Sequence, residues 1–264
     1  MILPSAPFVE KNQRAIAKKV QGIQTPPTLA VVLVGNDPAS LSYVRQKERM
    51  ATTLGCGFFL LHLPERSTAD YIIAQVKKLN ANTAVHGIIV QLPLPKRADA
   101  DRVIAAIAPK KDVDNLRGNS PFIAPSVAAI WEMLSYTGAP NVSARIVIIG
   151  YGRVIGKPLH AFLRARGFKN ISIADSATKD ISSLTKDADI IVSGVGKPNL
   201  ITTVKKGVRI IDAGVSVYHG KIVGDVAVAK VRAKAAILTP VPGGIGPLTV
   251  IHLFDNVVKA RNVY

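Results

Sequence analysis

Short runs of branched apolar residues alternate along this chain with segments whose apolar residues recur at helical spacing. That alternation restricts the fold to α/β, because each strand must return to its sheet through a helix. Residues 28–34 (TLAVVLV), 57–63 (GFFLLHL) and 86–91 (HGIIVQ) read as strands. Helices are expected over 40–54, closed by Gly55, over 68–81 and over 98–107. Pro93 and Pro95 end the third strand. This βαβαβ order predicts parallel pairing. A connection at 109–125 with three prolines leads to a helix at 126–137, and a second series then begins. Its strands are expected at 145–149, 170–174, 189–193 and 208–212, and its helices at 156–166, 180–187 and 198–205. Residues 239–249 (TPVPGGIGPLT) read as a tight loop, and a last helix over 248–261 as a return to the first series.

Length and charge narrow the partners. At 264 residues the chain can bury one large or two smaller cores. No apolar run reaches the roughly 18 residues of a membrane span. The segment MILPSAPFVEKN lacks the basic and apolar regions of a signal peptide, so a cytoplasmic protein with no membrane partner is expected. The lone Cys56 reads as core packing in a reducing compartment. A net charge of +17 attracts anions, among them polyanionic cofactors and acidic tails, or marks a solvated basic surface. The basic residues are spread out and form no nucleic-acid module, so no specific nucleic acid is expected. His62, His86, His160, His219 and His252 show no metal-ligand spacing, so no metal is expected either.

One lysine stands out. On the 40–54 helix, Leu41, Val44, Ala51 and Leu54 share a face, and Lys47 falls inside the same arc. Tyr43 lies one turn earlier at the edge of that arc. Such a lysine either snorkels at a domain edge or lines a cleft, where burial lowers its pKa toward that of a general acid or base. Gln91 ends the third strand, where α/β sites collect their ligands, or else caps the following loop. The run Lys110–Asp114 sets Asp112 and Asp114 at alternate positions, as a solvated cluster or as a polar grip.

A second candidate site follows the strand RIVII. The sequence Gly150-Tyr-Gly152-Arg-Val-Ile-Gly156 between a strand and a helix has the layout of a dinucleotide phosphate loop. The next strand ends in Asp175 and Ser176, where an acid binds a ribose 2′-hydroxyl and repels a 2′-phosphate.

These residues resemble one family, the bifunctional methylenetetrahydrofolate dehydrogenase/methenyltetrahydrofolate cyclohydrolases. Ser40-Leu-Ser-Tyr43-Val-Arg-Gln-Lys47 resembles its S-x-x-Y-V-x-x-K helix, and Gly87-Ile-Ile-Val-Gln91-Leu-Pro-Leu-Pro its G-x-x-V-Q-L-P-L-P strand end. Lys111-Asp112-Val113-Asp114 resembles K-D-V-D-G. Gly224-Asp225-Val226 and Thr239-Pro-Val-Pro-Gly-Gly-Ile-Gly-Pro-Leu-Thr249 resemble G-D-V and T-P-V-P-G-G-V-G-P-M-T. The matches keep one order over about residues 33–260.

The resemblance implies an α/β fold of two domains with the active-site cleft between them. An N-terminal βαβ catalytic domain would span 1–120, with helix 248–264 returning to it, and a Rossmann-type dinucleotide-binding domain 121–247. It implies oxidation of 5,10-methylenetetrahydrofolate with NADP or NAD, hydrolysis of the methenyl product to 10-formyltetrahydrofolate, and a homodimer through the cofactor domain. Lys47 would be the acid/base, Gln91 its hydrogen-bonding partner, and Tyr43 the residue that positions the substrate. Asp114 would grip the pterin end, and Asp112 would order that loop, joining Pro242, Gly243 and Gly244 in the substrate-binding set. Gly150, Gly152, Arg153, Gly156, Asp175 and Ser176 would hold the cofactor.

The chain departs from the family in several places. Tyr151 and Gly152 replace the Arg and Ser of G-R-S-x-x-V-G-x-P, and that Arg often meets the 2′-phosphate of NADP. Asn115 replaces the Gly of K-D-V-D-G, and Phe122-Ile-Ala-Pro125-Ser-Val127 replaces P-C-T-P-x-G. Two alternatives stay open: a cyclohydrolase with a weakened dehydrogenase, and a basic α/β protein that binds folate or nucleic acid without turnover.

Overall fold

The computed structural model describes residues 1–262, and the chain divides into two compact units. One unit is Glu10–Pro125 with Val250–Tyr264, and the other is Met1–Val9 with Ser126–Thr249. The sequence set its boundaries at 120/121 and 247/248. Met1–Val9 count with the second unit, where the Leu3 N–H donates to Leu238 O at 2.9 Å and the Ser5 N–H to Gly243 O at 2.9 Å.

The first unit is built on three parallel strands, β1 (Thr28–Val34), β2 (Gly57–Leu63) and β3 (Gly87–Val90), in the order β2-β1-β3. The expected βαβαβ order is present. Helices α2 (Pro38–Leu54), α3 (Ala69–Ala81) and α4 (Ala100–Ala105) follow β1, β2 and β3 respectively. Ala30, Val32 and Val34 of β1 pack with Ile88 and Val90 of β3 against Ile72 and Val76 of α3 and Val103 of α4. Helix starts are capped as their sequences direct: the side chains of Asp37, Thr68 and Asp99 accept N–H groups from the first turns of α2, α3 and α4. Gly55 closes α2 in the left-handed conformation, φ 70°.

Helix α1 (Ala6–Val20) was not read from the sequence. It buries only Ile16 and Val20, too few apolar positions to raise a periodic signal.

The second unit holds five parallel strands, β4 (Ile146–Ile149), β5 (Ile171–Ala174), β6 (Ile190–Ser193), β7 (Val208–Asp212) and β10 (Ala235–Leu238). Their order is β10-β7-β6-β4-β5. Numbered along the chain and read from the β5 edge, this is the doubly wound 2-1-3-4-5 arrangement, whose switch point lies between β4 and β6. Helices α5 (Pro125–Leu134), α6 (Gly156–Ala165) and α7 (Ile181–Thr185) fall where expected. A hairpin, β8 (Ser216–Tyr218) with β9 (Lys221–Val223), and the short helix α8 (Val228–Val231) were not read from the sequence.

The helix expected over 198–205 is absent. The Leu200 and Ile201 N–H groups donate instead to Asp225 O, and Ile201 bridges Val226. Pro198 and the β-branched Thr202 and Thr203 favour that extended path.

Helix α9 (Ile245–Arg261) begins inside the Pro/Gly segment, and from Val250 it counts with the first unit. There Asn256, buried, donates its amide to Val113 O at 2.9 Å and Ile123 O at 2.8 Å. It thereby holds both ends of the connection that carries Asp114. Asn256→Ala leaves one buried and one partly buried carbonyl unpaired, so a urea unfolding midpoint should fall by the equivalent of about 1–3 kcal/mol. A change under about 0.5 kcal/mol, the usual range for a surface substitution, would contradict that role.

Candidate active site

Helix α2 buries Val44, Lys47, Ala51 and Leu54 along one face, so the apolar stripe does carry a lysine inward. Lys47 is only 9% exposed. Its Nζ donates to Gln91 Oε1 at 2.6 Å. The orientation of that amide is set from its other end, since Gln91 Nε2 donates to Leu92 O at 2.8 Å. An acceptor oxygen is thus presented to the amine, which in its charged form can only donate. The Gln91 N–H itself donates to Val32 O at 2.9 Å, which continues the β1–β3 ladder and fixes the residue at the strand end.

Burial lowers the Lys47 pKa from its ordinary value, and the nearby Asp114 charge opposes that shift. Burial pushes Asp114 up to about 6, against the pull of Lys47 and with a further push from Asp112. Both groups therefore move toward their neutral forms: loss of water outweighs their mutual attraction. Tyr43, half-buried one turn before Lys47, has its phenol pKa raised by burial. Tyr43, Lys47, Gln91 and Asp114 belong to one unit.

The Asp114 loop is held by its neighbours. Asp112 is fully buried, and its Oδ1 and Oδ2 accept the N–H groups of Leu116 and Arg117 at 3.1 and 2.9 Å. Its carboxylate therefore shapes the loop rather than facing outward. Lys111 Nζ donates to Asn82 O at 2.7 Å, at the C-terminal end of α3 where a cation is favoured. Asn115 has φ 52°, which explains the departure from Gly: asparagine tolerates this left-handed position better than other side chains do. Gly87 lets the loop approach β3, since a Cβ there would lie 2.9 Å from both Val113 methyls.

In the second unit, Gly150 to Gly156 joins β4 to α6 in a very tight turn. A Cβ on Gly156 would lie 2.1 Å from Gly150 O, so only glycine fits. The turn leaves the N-terminus of α6 bare of side chains at its first residue, as an anion site requires. Gly150 has φ 90°, and its N–H donates to Ala174 O at 2.7 Å. Gly152 meets nothing within 4 Å of a built Cβ, so its place in the loop is not forced by space. Ser126 Oγ donates to Val154 O at 2.6 Å, so a neighbouring hydroxyl braces the loop although Ala124 lacks one. Tyr151 is turned onto α6, with its hydroxyl 2.9 Å from His160 Nδ1, and Arg153 is half-buried.

Asp175 and Ser176 lie exposed just past β5, next to β4. Asp175 Oδ1 accepts the Ala177 N–H at 3.0 Å, which holds the carboxylate in place. Pro242, Gly243 and Gly244 belong to this same unit. Gly243 has φ 94°, and a Cβ on Gly244 would lie 2.4 Å from Pro240 O.

The sequence reading missed one wall of this region. The loop Gly194–Lys197 after β6 faces the other side of the switch point, and Asp225 anchors it. The Asp225 carboxylate accepts Ser193 Oγ at 2.5 Å, the Val195 N–H at 2.8 Å and the Lys197 N–H at 2.7 Å. The only signal was an aspartate inside Gly224-Asp225-Val226, to which spacing alone assigns no role.

Comparison with known proteins follows this division. Residues 4–114 match the tetrahydrofolate dehydrogenase/cyclohydrolase catalytic domain, and residues 124–264 match the NAD(P)-binding domain of the same family. The bifunctional protein FolD of Aquifex aeolicus is 37% identical over 276 residues, covering 98% of this chain and 94% of its own. The crystal structure of the bifunctional enzyme FolD, methylenetetrahydrofolate dehydrogenase/cyclohydrolase, from Campylobacter jejuni is 33% identical. It superposes with a TM-score of 0.91, covering 100% of this chain and 99% of that one. The Trypanosoma brucei FolD structure, complexed with NADP cofactor and an inhibitor, is 29% identical with a TM-score of 0.94, covering 100% and 97%.

The coupling of Asp114 to Lys47 has a direct test. Asp114→Asn removes the charge that holds the Lys47 pKa up, so Lys47 should lose its proton at lower pH than in the unaltered protein. A pH series of the Lys47 side-chain nitrogen resonance reads this. A midpoint that stays put or moves upward would rule the coupling out.

Proposed function

Because the chain belongs to the tetrahydrofolate dehydrogenase/cyclohydrolase family, we propose that it runs two consecutive reactions on one folate. It oxidises 5,10-methylenetetrahydrofolate to the methenyl form with a nicotinamide nucleotide, and hydrolyses the methenyl form to 10-formyltetrahydrofolate. The observation that carries this reading is the hydrogen bond from the buried Lys47 to the partly buried Gln91, beside Asp114.

The residues divide the work by their chemistry. Lys47, with its pKa lowered by burial, accepts a proton from the water that adds to the methenyl carbon, and returns one as the ring opens. Gln91 keeps the amine aimed, Tyr43 positions the substrate against it, and Asp114 grips the polar edge of the pterin. Asp112 contributes through the loop it orders, and Pro242, Gly243 and Gly244 complete the substrate-binding set. The nicotinamide, when bound, accepts the hydride. Gly152 and Gly156 would offer backbone N–H groups to its pyrophosphate in the turn that Gly150 starts, with Arg153 and Ser176 beside them.

For the nucleotide itself, Asp175 favours NAD over NADP. Its anchored carboxylate suits a ribose hydroxyl and repels a 2′-phosphate, while Tyr151 supplies no cation and is tied to His160. The protein acts in the cytoplasm as a homodimer joined through the cofactor unit. The β8–β9 hairpin of that unit supports the dimer: Val217 is 74% exposed, and Tyr218 and Ile222 are exposed beside it.

A purified-protein assay tests the core of the proposal. Methenyltetrahydrofolate should be hydrolysed, and Lys47→Met should lower that rate by about a hundredfold or more with the fold intact. Full turnover in the variant would refute the role of Lys47. Hydrolysis without any oxidation would identify the cyclohydrolase alternative.

Supplying methylenetetrahydrofolate with each nucleotide tests the Asp175 assignment. NAD should be preferred by about tenfold or more in kcat/KM, and Asp175→Asn should narrow the gap. A strong preference for NADP would sink it.

A further inference from the structure

Two buried carboxylates remain outside the chemistry described so far. Asp212, at the end of β7, is 3% exposed, and Asp225 is fully buried. Asp212 Oδ1 accepts the N–H groups of Gly214 and Asp225, each at 3.1 Å, and Oδ2 accepts the Val226 N–H at 3.0 Å. Asp225 in turn holds Ser193, Val195 and Lys197. The carboxylates thus form a relay from the end of β7 to the loop after β6. Glycines make room for it: a Cβ on Gly214 would lie 2.2 Å from the Asp225 carboxylate, and one on Gly224 2.0 Å from that of Asp212. Burial and the Asp225 charge both raise the Asp212 pKa, to about 6, so the arrangement carries an electrostatic cost that packing alone does not explain.

The loop held by this relay is interlocked with the phosphate loop. The Gly194 N–H donates to Ile149 O at 3.1 Å. A Cβ on Gly194 would lie 2.8 Å from Ile155 Cδ1, and one on Gly150 would lie 3.0 Å from Val195 Cγ2. The two loops follow β4 and β6, the pair that flanks the switch point, and there doubly wound sheets bind their ligands. Val195 is left 46% exposed at the tip of the held loop.

We propose that Asp225, seated by Asp212, is a positioning residue for the nicotinamide nucleotide: it holds Gly194–Lys197 as the second wall of the cofactor site. The inference rests on the cofactor assignment made above. Asp225 does not touch the nucleotide; it sets where Val195 and the backbone beside it stand.

Two substitutions test this from independent directions. Asp225→Asn replaces a pure acceptor with a group that must place NH2 against a donor. Gly196→Ala leaves the carboxylates alone but strains the loop, because Gly196 has φ 78° and its Cβ would lie 2.9 Å from Val215 O. Fluorescence of bound NADH and NADPH gives affinity, and steady-state kinetics separate KM from kcat. In both variants, nucleotide Kd and KM should rise by about tenfold or more, with kcat at saturation within about threefold of the unaltered enzyme. A folded Asp225→Asn with affinity within about twofold of the unaltered protein overturns the proposal, as does a fall in kcat at unchanged KM. If Asp225→Asn does not fold, Gly196→Ala decides by the same criteria. Failure of the unaltered protein to bind either nucleotide would instead overturn the cofactor assignment.

Discussion

An amine buried among apolar side chains must be solvated by the protein, and much of the first unit is arranged to do so. Val44, Ala51 and Leu54 are buried with Lys47 on its helix, and its hydrogen-bonding partner comes from across the fold. Gln91 provides it because β3 ends there, and β3 is placed by pairing with β1. The amide can point its oxygen at the lysine only while its nitrogen is occupied by Leu92 O. A change in strand register of one residue would turn Gln91 to the opposite face of the sheet and leave the amine alone in the core. The geometry of one hydrogen bond thus depends on the register of a whole sheet.

The same constraint shapes the Asp114 loop. A carboxylate that stays near a desolvated lysine needs a rigid support, or it would swing toward water. Asp112 gives that support by spending both oxygens on backbone N–H groups, and Asn256 holds the loop from α9. Asn115 replaces a glycine without distorting the loop, because the backbone there is left-handed and asparagine tolerates it.

What could be read from the sequence was what has a period or a fixed spacing. β1, β2 and β7 were legible as apolar runs, and α2 as a helix whose stripe held an anomalous lysine. The dinucleotide turn was legible because glycine spacing records where backbones touch. Helix α1 was not, since its apolar stripe is too sparse, and β8 and β9 are only three residues each. The misplaced helix over 198–205 failed for a tertiary reason: its backbone bonds go to Asp225, a partner no local pattern reveals. Asp225 was hidden for the same reason. A carboxylate that accepts three donors from a loop about thirty residues away looks, in sequence, like any other aspartate.

The β10 edge of the second sheet is closed by residues from the opposite end of the chain. Ile2 bridges Leu238, the Leu3 N–H donates to Leu238 O, and the Met1 amino group reaches Ala236 O at 3.0 Å. During synthesis, residues 1–5 leave the ribosome long before residues 235–238 exist. They must wait without a partner while the intervening strands assemble, and closing so long a loop makes this pairing slow. Until residues 1–3 pair, β10 presents an open edge to any other chain nearby.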